Sequence, residues 1–516
     1  MVWFRSLRFQ INNIMAGYLR QRVRHINYFR RHPREVQARW WQTLTEAGRW
    51  TRYGRQYGMQ EIRHYRDFSE RLPIVQYDGL KPYIERAMLG ERDVLWPGQT
   101  RWFAKSSGTT SDKSKFIPVT SDNLRTCHIK GTWDTMSIYY QHNPQATLFA
   151  LKSLLMGGSL QSFKEFPSTR YGDISAIMIE HMPFIGRPFF TPDLSTALMS
   201  EWEAKIERMA RITAREKDMA MIGGVPTWTV MLIRRILELT GASDMSSVWP
   251  NLQVYIHGGV SFSPYQETFR KFFPQGIDYQ EIYNATEGFF GIQEHMDRPD
   301  LLLLLDNGMF FEFLPMEEWD KPEPRAIPLE DVQPGIHYAP VITTNAGLWR
   351  YVPGDTIRFT DTRPYRFRVT GRTRQFINVF GEEVMIANTD EALAQTCREF
   401  DTVVAEYTVA PCFLGATGKG GHQWLVEFEK TPRDLRRFAE ALDKNLQRLN
   451  SDYEAKRYRD IALDTLSLTV LPNGTFMNWM RRKGKLGGQH KVPRLSNTRQ
   501  YVEELLQLLA YDNSAG

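Results

Sequence analysis

The segment SSGTTSDKSK, residues 106–115, gathers Ser106, Ser107, Thr109 and Thr110 around Gly108 and follows them with Lys113 and Lys115. Hydroxyl and backbone N–H groups donate to phosphate oxygens, ammonium groups neutralise them, and glycine lets the chain pass close by. The spacing is not the GxxxxGK[ST] of a P-loop, and an ordinary polar turn can have the same composition. Four later segments strengthen the phosphate reading. YNATEG, 283–288, offers Glu287 after a run with strand character, and a carboxylate there suits magnesium, which prefers oxygen ligands and substrate phosphates. YVPGD, 351–355, sets Asp355 on a tight turn, where it can accept from two ribose hydroxyls or cap its own backbone. GRTRQFINVFGEE, 371–383, carries Arg372 and Arg374, and KLGGQHKVPRL, 485–495, is a late basic loop with Lys485 and Lys491. Each is weak alone; in this order they point to nucleotide chemistry.

The elements that must position these loops read as mixed α/β. Residues 33–95 are helical and loop-rich, and a helix is expected from Asn123 through NLRTCHIKGTWDTMSIYY. ATLFALKSLLMGG reads as a strand entering a glycine turn, and residues 200–240 carry the apolar spacing of long helices ending near Gly241. NLQVYIHGG, 251–259, and DYQEIYNATEG, 279–288, read as strands ending in turns, so Gly258 and Gly259 fall at a strand end. HYAPVITTNAGLWRYVPGDTIRFT, 337–360, reads as successive antiparallel strands. A smaller α+β unit is expected from near residue 374, with strands in TVVAEYTVAP and HQWLVEFE and a helix capped by Thr431 with Pro432 in its first turn.

The 516 residues and 60.3 kDa exceed one ordinary core, so two or more domains are expected. A hydrophobic fraction of 42% argues against disorder. Of the net charge of +6, residues 1–50 hold ten Arg against two Glu, a net +8, which leaves the rest near −2. That distribution excludes a uniformly basic nucleic-acid surface. The basic arm, residues 1–30, reads either as a helix packed on the body or as a peripheral contact with an anionic membrane. Cys127, Cys397 and Cys412 are too scattered for a disulfide framework or zinc cluster, which fits a reducing cytoplasm. No run approaches the 18 or more apolar residues of a membrane span; LLLLLD, 301–306, reads as a buried strand.

SSGTTSDKSKFIP, YNATEGFFG and LWRYVPGD, joined by FFEFLP at 310–315, VITTNAGLWRY at 341–351 and HKVPRL at 490–495, resemble the signatures of the GH3 acyl-acid amido synthetases. That family belongs to the adenylate-forming superfamily of firefly luciferase, acyl-CoA synthetases and peptide-synthetase adenylation domains. The resemblance implies a two-domain luciferase-like architecture: an α/β adenylation domain over 1–373 and a small mobile α+β domain over 374–516. It implies ATP and Mg2+, an acyl-AMP formed from a small carboxylic acid, and transfer to an amino-acid amine. Formation of an acyl-CoA or other thioester, or a non-catalytic nucleotide-binding role, are the rival readings. Residue by residue, Ser107, Gly108, Thr109, Thr110 and Lys115 would hold phosphates, and Glu287 the magnesium. Gly258, Gly259, Tyr283, Asn284 and Thr286 would line the nucleotide side, Asp355 would hold the ribose, and Arg372 or Arg374 would contact nucleotide at the domain junction. Lys491 would assist adenylation, with Lys485 as its rival. Val225, Trp228 and Phe262 are candidate walls of an acid pocket between the 123–140 helix and segments near 222–260, and His257 is acid-side, adenine-side or structural. Pro353, Ala285 and Thr286 depart from the plant pattern, which leaves the acyl and amine specificity open.

Overall fold

The computed structural model describes all residues except 1, 107–114, 163–168, 183, 260–261, 263–264, 320, 374–375, 378–381, 383, 415–418, 451–452, 455–456, 458–462, 485–490 and 515–516. The chain opens with a long helix, α1 (Val2–Arg31). It packs against the helix α2 (Lys130–His142) by burying Ala16 and Leu19 beside Met136, Tyr139 and Tyr140. Arg22 pairs with Asp134 at 2.7 Å, and Asn12 donates to the Ala146 carbonyl at 2.9 Å. The basic arm is therefore docked through Asn12, Ala16, Leu19 and Arg22, while Leu7, Ile14 and Tyr18 face outward. No helix among the described residues is long and apolar enough to cross a membrane.

A hairpin of β1 (Trp102–Ser106) and β2 (Lys115–Val119) pairs Ser106 with Lys115. The hydroxyl-rich loop 107–114 joins these strands and lies outside the described residues. The main sheet contains β3 (Lys152–Leu155), β4 (Met219–Gly224), β5 (Val254–Gly258) and β6 (Asp278–Ala285) as parallel neighbours. It continues through the antiparallel β7 (Gly288–Gln293), β8 (Leu301–Leu303), β9 (Met309–Pro315), β10 (His337–Thr344), β11 (Asp355–Thr362) and β12 (Tyr365–Arg372). Across the sheet these run β9-β10-β11-β12-β8-β7-β6-β5-β4-β3. Helices α3 (Trp202–Thr213), α4 (Pro226–Thr240) and α5 (Gln266–Phe272) cover one face, packing on Ile222 and Tyr255. Helices α1 and α2 cover the other, packing on Met221, Val254 and Ile256. The alternation of neighbouring residues between these two cores is the two-residue period of strands buried on both faces.

Past the main sheet, α6 (Ile386–Glu399) and α7 (Leu435–Leu449) pack on a second sheet of β13 (Val403–Leu414), β14 (Lys419–Lys430) and β15 (Ser467–Leu471). Three short-range expectations change. Ala146–Leu151 is turn, with the strand confined to Lys152–Leu155, and β4 interrupts the helical stretch of 200–240. The cap of α7 is Asp434, which accepts from the Arg437 N–H at 3.0 Å, not Thr431. The helix begins at Leu435, so only Asp434 lies within reach of its first N–H groups, where a carboxylate also opposes the helix dipole.

Candidate active site

The carboxyl ends of parallel strands are the usual ligand crevice of an open α/β sheet. Here β5 ends at Gly258 and β6 at Ala285. A Cβ on Gly258 would lie 2.3 Å from the Ile282 carbonyl oxygen, and Gly259 has φ +83°, so neither position takes a larger residue without strain. Thr286 and Glu287 occupy the turn between β6 and β7, with the Thr286 hydroxyl donating to Glu287 Oε2 at 2.6 Å. Burial foremost, and the neighbouring Asp355 carboxylate, hold the Glu287 carboxyl above its usual range, against the opposing pull of Thr286 and Lys115.

Asp355 opens β11 directly opposite Arg372 on β12. Arg372 Nε lies 2.9 Å from Asp355 Oδ1, and the Tyr283 hydroxyl donates to Oδ2. The carboxylate holds the Arg372 guanidinium above its ordinary value. Tyr283 is steadied by a stacked Phe290 ring, centroids 4.6 Å apart. From the other side, Lys491 donates to the Gly259 carbonyl. Burial chiefly, then Arg372 and Arg494 against the pull of Asp355, bring its ammonium down to about 8. These groups share one cavity of about 1000 Å³. At one end it offers a carboxylate suited to a diol, an aromatic ring, a carboxyl suited to a hard cation, and two cations suited to phosphate.

Gly259, Tyr283, Asn284, Thr286, Glu287, Asp355, Arg372 and Lys491 all line that cavity, as do Val225, Trp228, His257 and Phe262. The last four lie on the α4–α5 side, with Phe262 in the Tyr255–Phe269 cluster. Met136, Tyr139 and Tyr140 of the 123–140 helix pack with Ile256 on the opposite face, while His128 of the same segment reaches Asn284 in the cavity wall. Burial pulls His257 down to about 3, and its ring stacks on Phe262 at 4.2 Å, so it is a neutral wall residue at physiological pH. Lys115 stands outside the cavity wall, 5.9 Å over the Tyr77 ring, and acts on Glu287 through charge. Ser107, Gly108, Thr109, Thr110, Lys113, Arg374 and Lys485 lie outside the described residues.

Two supports of the site are not evident in the sequence motifs. A π-helical turn, Leu124–Ile129, brings His128 Nδ1 within 2.9 Å of Asn284 Oδ1, which orients the second motif from the α2 side. Arg350, with φ +43°, forks onto Glu312 through Nε at 3.0 Å and Nη2 at 2.8 Å, anchoring the turn that ends in Asp355. For the second a signal exists: Glu312 is the one charge inside MFFEFLP, and a carboxylate in such a strand needs a buried partner.

Comparison with known proteins points in one direction. Residues 22–277 match the GH3 family N-terminal domain, 302–372 the GH3 family central domain and 387–500 the GH3 family C-terminal domain. The chain is 24% identical over 523 residues to indole-3-acetic acid-amido synthetase GH3.3 of Arabidopsis thaliana, covering 86% of each. It is 22% identical over 506 residues to 4-substituted benzoates-glutamate ligase GH3.12 of the same plant, covering 83% of this chain and 87% of the other. Among solved structures, GH3.15 acyl acid amido synthetase superposes with TM-score 0.75 at 16% identity over 92% of this chain and 93% of its own.

Proposed function

The chain belongs to the GH3 family of acyl-acid amido synthetases, and from that premise we propose that it joins a carboxylic acid to an amino acid at the expense of ATP. The carrying observation is that Asp355, Tyr283, Arg372, Glu287 and Lys491, drawn from strands far apart in sequence and from the C-terminal unit, meet in one cavity. Asp355 accepts from the ribose hydroxyls while Arg372 and Tyr283 fix its two oxygens. A carboxylate oxygen of the acid attacks the α-phosphorus, the bond to pyrophosphate breaks, and an acyl-adenylate forms. Lys491 and Arg372 neutralise charge building on the phosphates, in a site where fixed charges need no reorganisation. An uncharged amine then attacks the acyl carbon, AMP leaves with its electron pair, and the amine gives up a proton to yield the amide.

Glu287 fits a magnesium site of the kind that uses one protein carboxylate plus substrate phosphates, since burial disfavours its bare charge and a cation there would offset that cost. When bound, the ion would neutralise phosphate charge. The Glu287→Gln variant is expected to raise the Mg2+ midpoint of ATP use about tenfold or more, since a charge-assisted contact contributes about 1.5–3 kcal/mol; an unchanged midpoint in a Mg2+ titration removes the assignment. Asp355→Ala is expected to raise the ATP dissociation constant about 10- to 100-fold for the same reason, with isothermal titration as the check and unchanged affinity as the contrary result.

The matches to the central and C-terminal GH3 domains end and begin at 372 and 387, which supports a hinge near 374 about which the C-terminal unit turns between the two half-reactions. Acid-dependent exchange of labelled pyrophosphate into ATP tests the first step, and mass measurement of products from an amino-acid pool tests the second. Exchange with CoA-dependent turnover and no amide would make the protein a thioester synthetase. No exchange with any acid would leave a nucleotide-binding module.

A further inference from the structure

Within the late basic motif, Arg494 is more deeply buried than Lys491. It is 8% exposed. Its guanidinium pairs with Asp390 on α6, lies 3.5 Å from Glu406 on β13, and stacks 4.8 Å over the Tyr407 ring. Tyr407 closes the cluster by donating to Asp390 at 2.6 Å. The backbone around it is fastened to the same strand. Thr408 donates to the Pro493 carbonyl at 2.6 Å, the Val409 N–H to the Arg494 carbonyl at 2.8 Å, and the Ser496 N–H to the Val409 carbonyl at 3.2 Å. Between the arginine and Lys491 stand Pro493, with φ fixed by its ring, and Val492, packed in the apolar cluster of Leu471 and Phe476. The short link therefore has little freedom left, and the lysine leaves it toward Gly259 in the other unit.

We infer that Arg494 is a positioning residue: its fork, gripped by Asp390 and Glu406, fixes segment 491–495 to the C-terminal unit so that the Lys491 ammonium is delivered to the turn at Gly259. This rests on the reading of Lys491 as the adenylation lysine. The groups facing that ammonium are Arg372 on β12, Asp355 on β11, Arg494 on its own segment and the Gly259 carbonyl. A cation that only stabilised the fold would act equally with or without Lys491. A positioning cation acts through it.

The test is a double-mutant cycle on pyrophosphate exchange, with melting temperature and ATP affinity measured on every variant. Arg494→Met is expected to slow exchange about 10²-fold, the effect of a misplacement of about 1 Å, with ATP affinity unchanged. In the Lys491→Ala background the same change is expected to cost less than about twofold, because coupled groups are not additive. Removing a like charge beside Lys491 should also move the alkaline limb of the exchange profile to higher pH, and Arg494→Lys should return that limb while the rate stays low. Should Arg494→Met fail to fold, Glu406→Gln enters the same cycle. An Arg494 effect of equal size in both backgrounds overturns the inference. A Lys491→Ala enzyme with full exchange instead overturns the reading beneath it.

Discussion

Replacing Lys491 with alanine is expected to slow acid-dependent pyrophosphate exchange by about 10²–10³, the loss that follows removal of one well-aimed charge from a preorganised site, about 3–4 kcal/mol. Affinity for ATP should change far less, because in the proposed reading the nucleotide is held from the other unit by Asp355 with Arg372 and Tyr283 on its two oxygens. The pH profile supplies an independent check. Burial first, then Arg372, bring the Lys491 ammonium down to about 8. The charged form that the phosphates need is present below that value and is lost as pH rises through it. Exchange should therefore fall above about pH 8, by about tenfold per pH unit once the lysine is mostly neutral. In Lys491→Ala that limb should vanish with the rate. A variant that keeps both the rate and the limb would transfer the role to Lys485 or another cation.

Much of this arrangement is legible in the chain because the chemistry sits at strand ends. Asp355 and Glu287 follow recognisable strand-then-turn patterns, and a turn leaves a side chain little choice of direction. The β5 strand is legible for the same reason, being an apolar run stopped by glycine, and β6 repeats the strand-then-turn pattern. What is hidden is local ambiguity. MAMIGG, the strand β4, is a short continuous apolar run, and such runs do not distinguish a fully buried strand from a helix. The side of the sheet on which His257 of β5 falls is equally hidden. Which face a residue joins depends on register, and a one-residue slip exchanges the α2 face for the α4–α5 face. Arg494 sits within a recognisable motif, yet its role does not follow from it. Its partners Asp390 and Glu406 are about a hundred residues upstream, and only the folded C-terminal unit brings them to it.

The largest loss of stability is expected from Arg350→Met or Glu312→Leu made singly. The two side chains are 6% and 1% exposed. Arg350 also donates through Nη1 to the Ser69 and Leu72 carbonyls at 2.8 and 2.7 Å, and the Tyr65 hydroxyl donates to Glu312 Oε1 at 2.8 Å. The pair thus ties the N-terminal helical region to β9 and to the turn before Asp355. Removing one partner strands the other charge in the buried interior, which costs about 3–5 kcal/mol. The double replacement by apolar residues is expected to be much less destabilising than either single change, since no bare charge remains. Four denaturation curves, of the unsubstituted protein, the two single variants and the double, decide it. If the two single losses simply add in the double variant, the residues act apart, and the ion pair is not what holds the turn. If the double variant recovers stability but ATP affinity stays low, the fork does more than stabilise: it holds Arg350 at its positive φ and so aims Asp355 at the ribose.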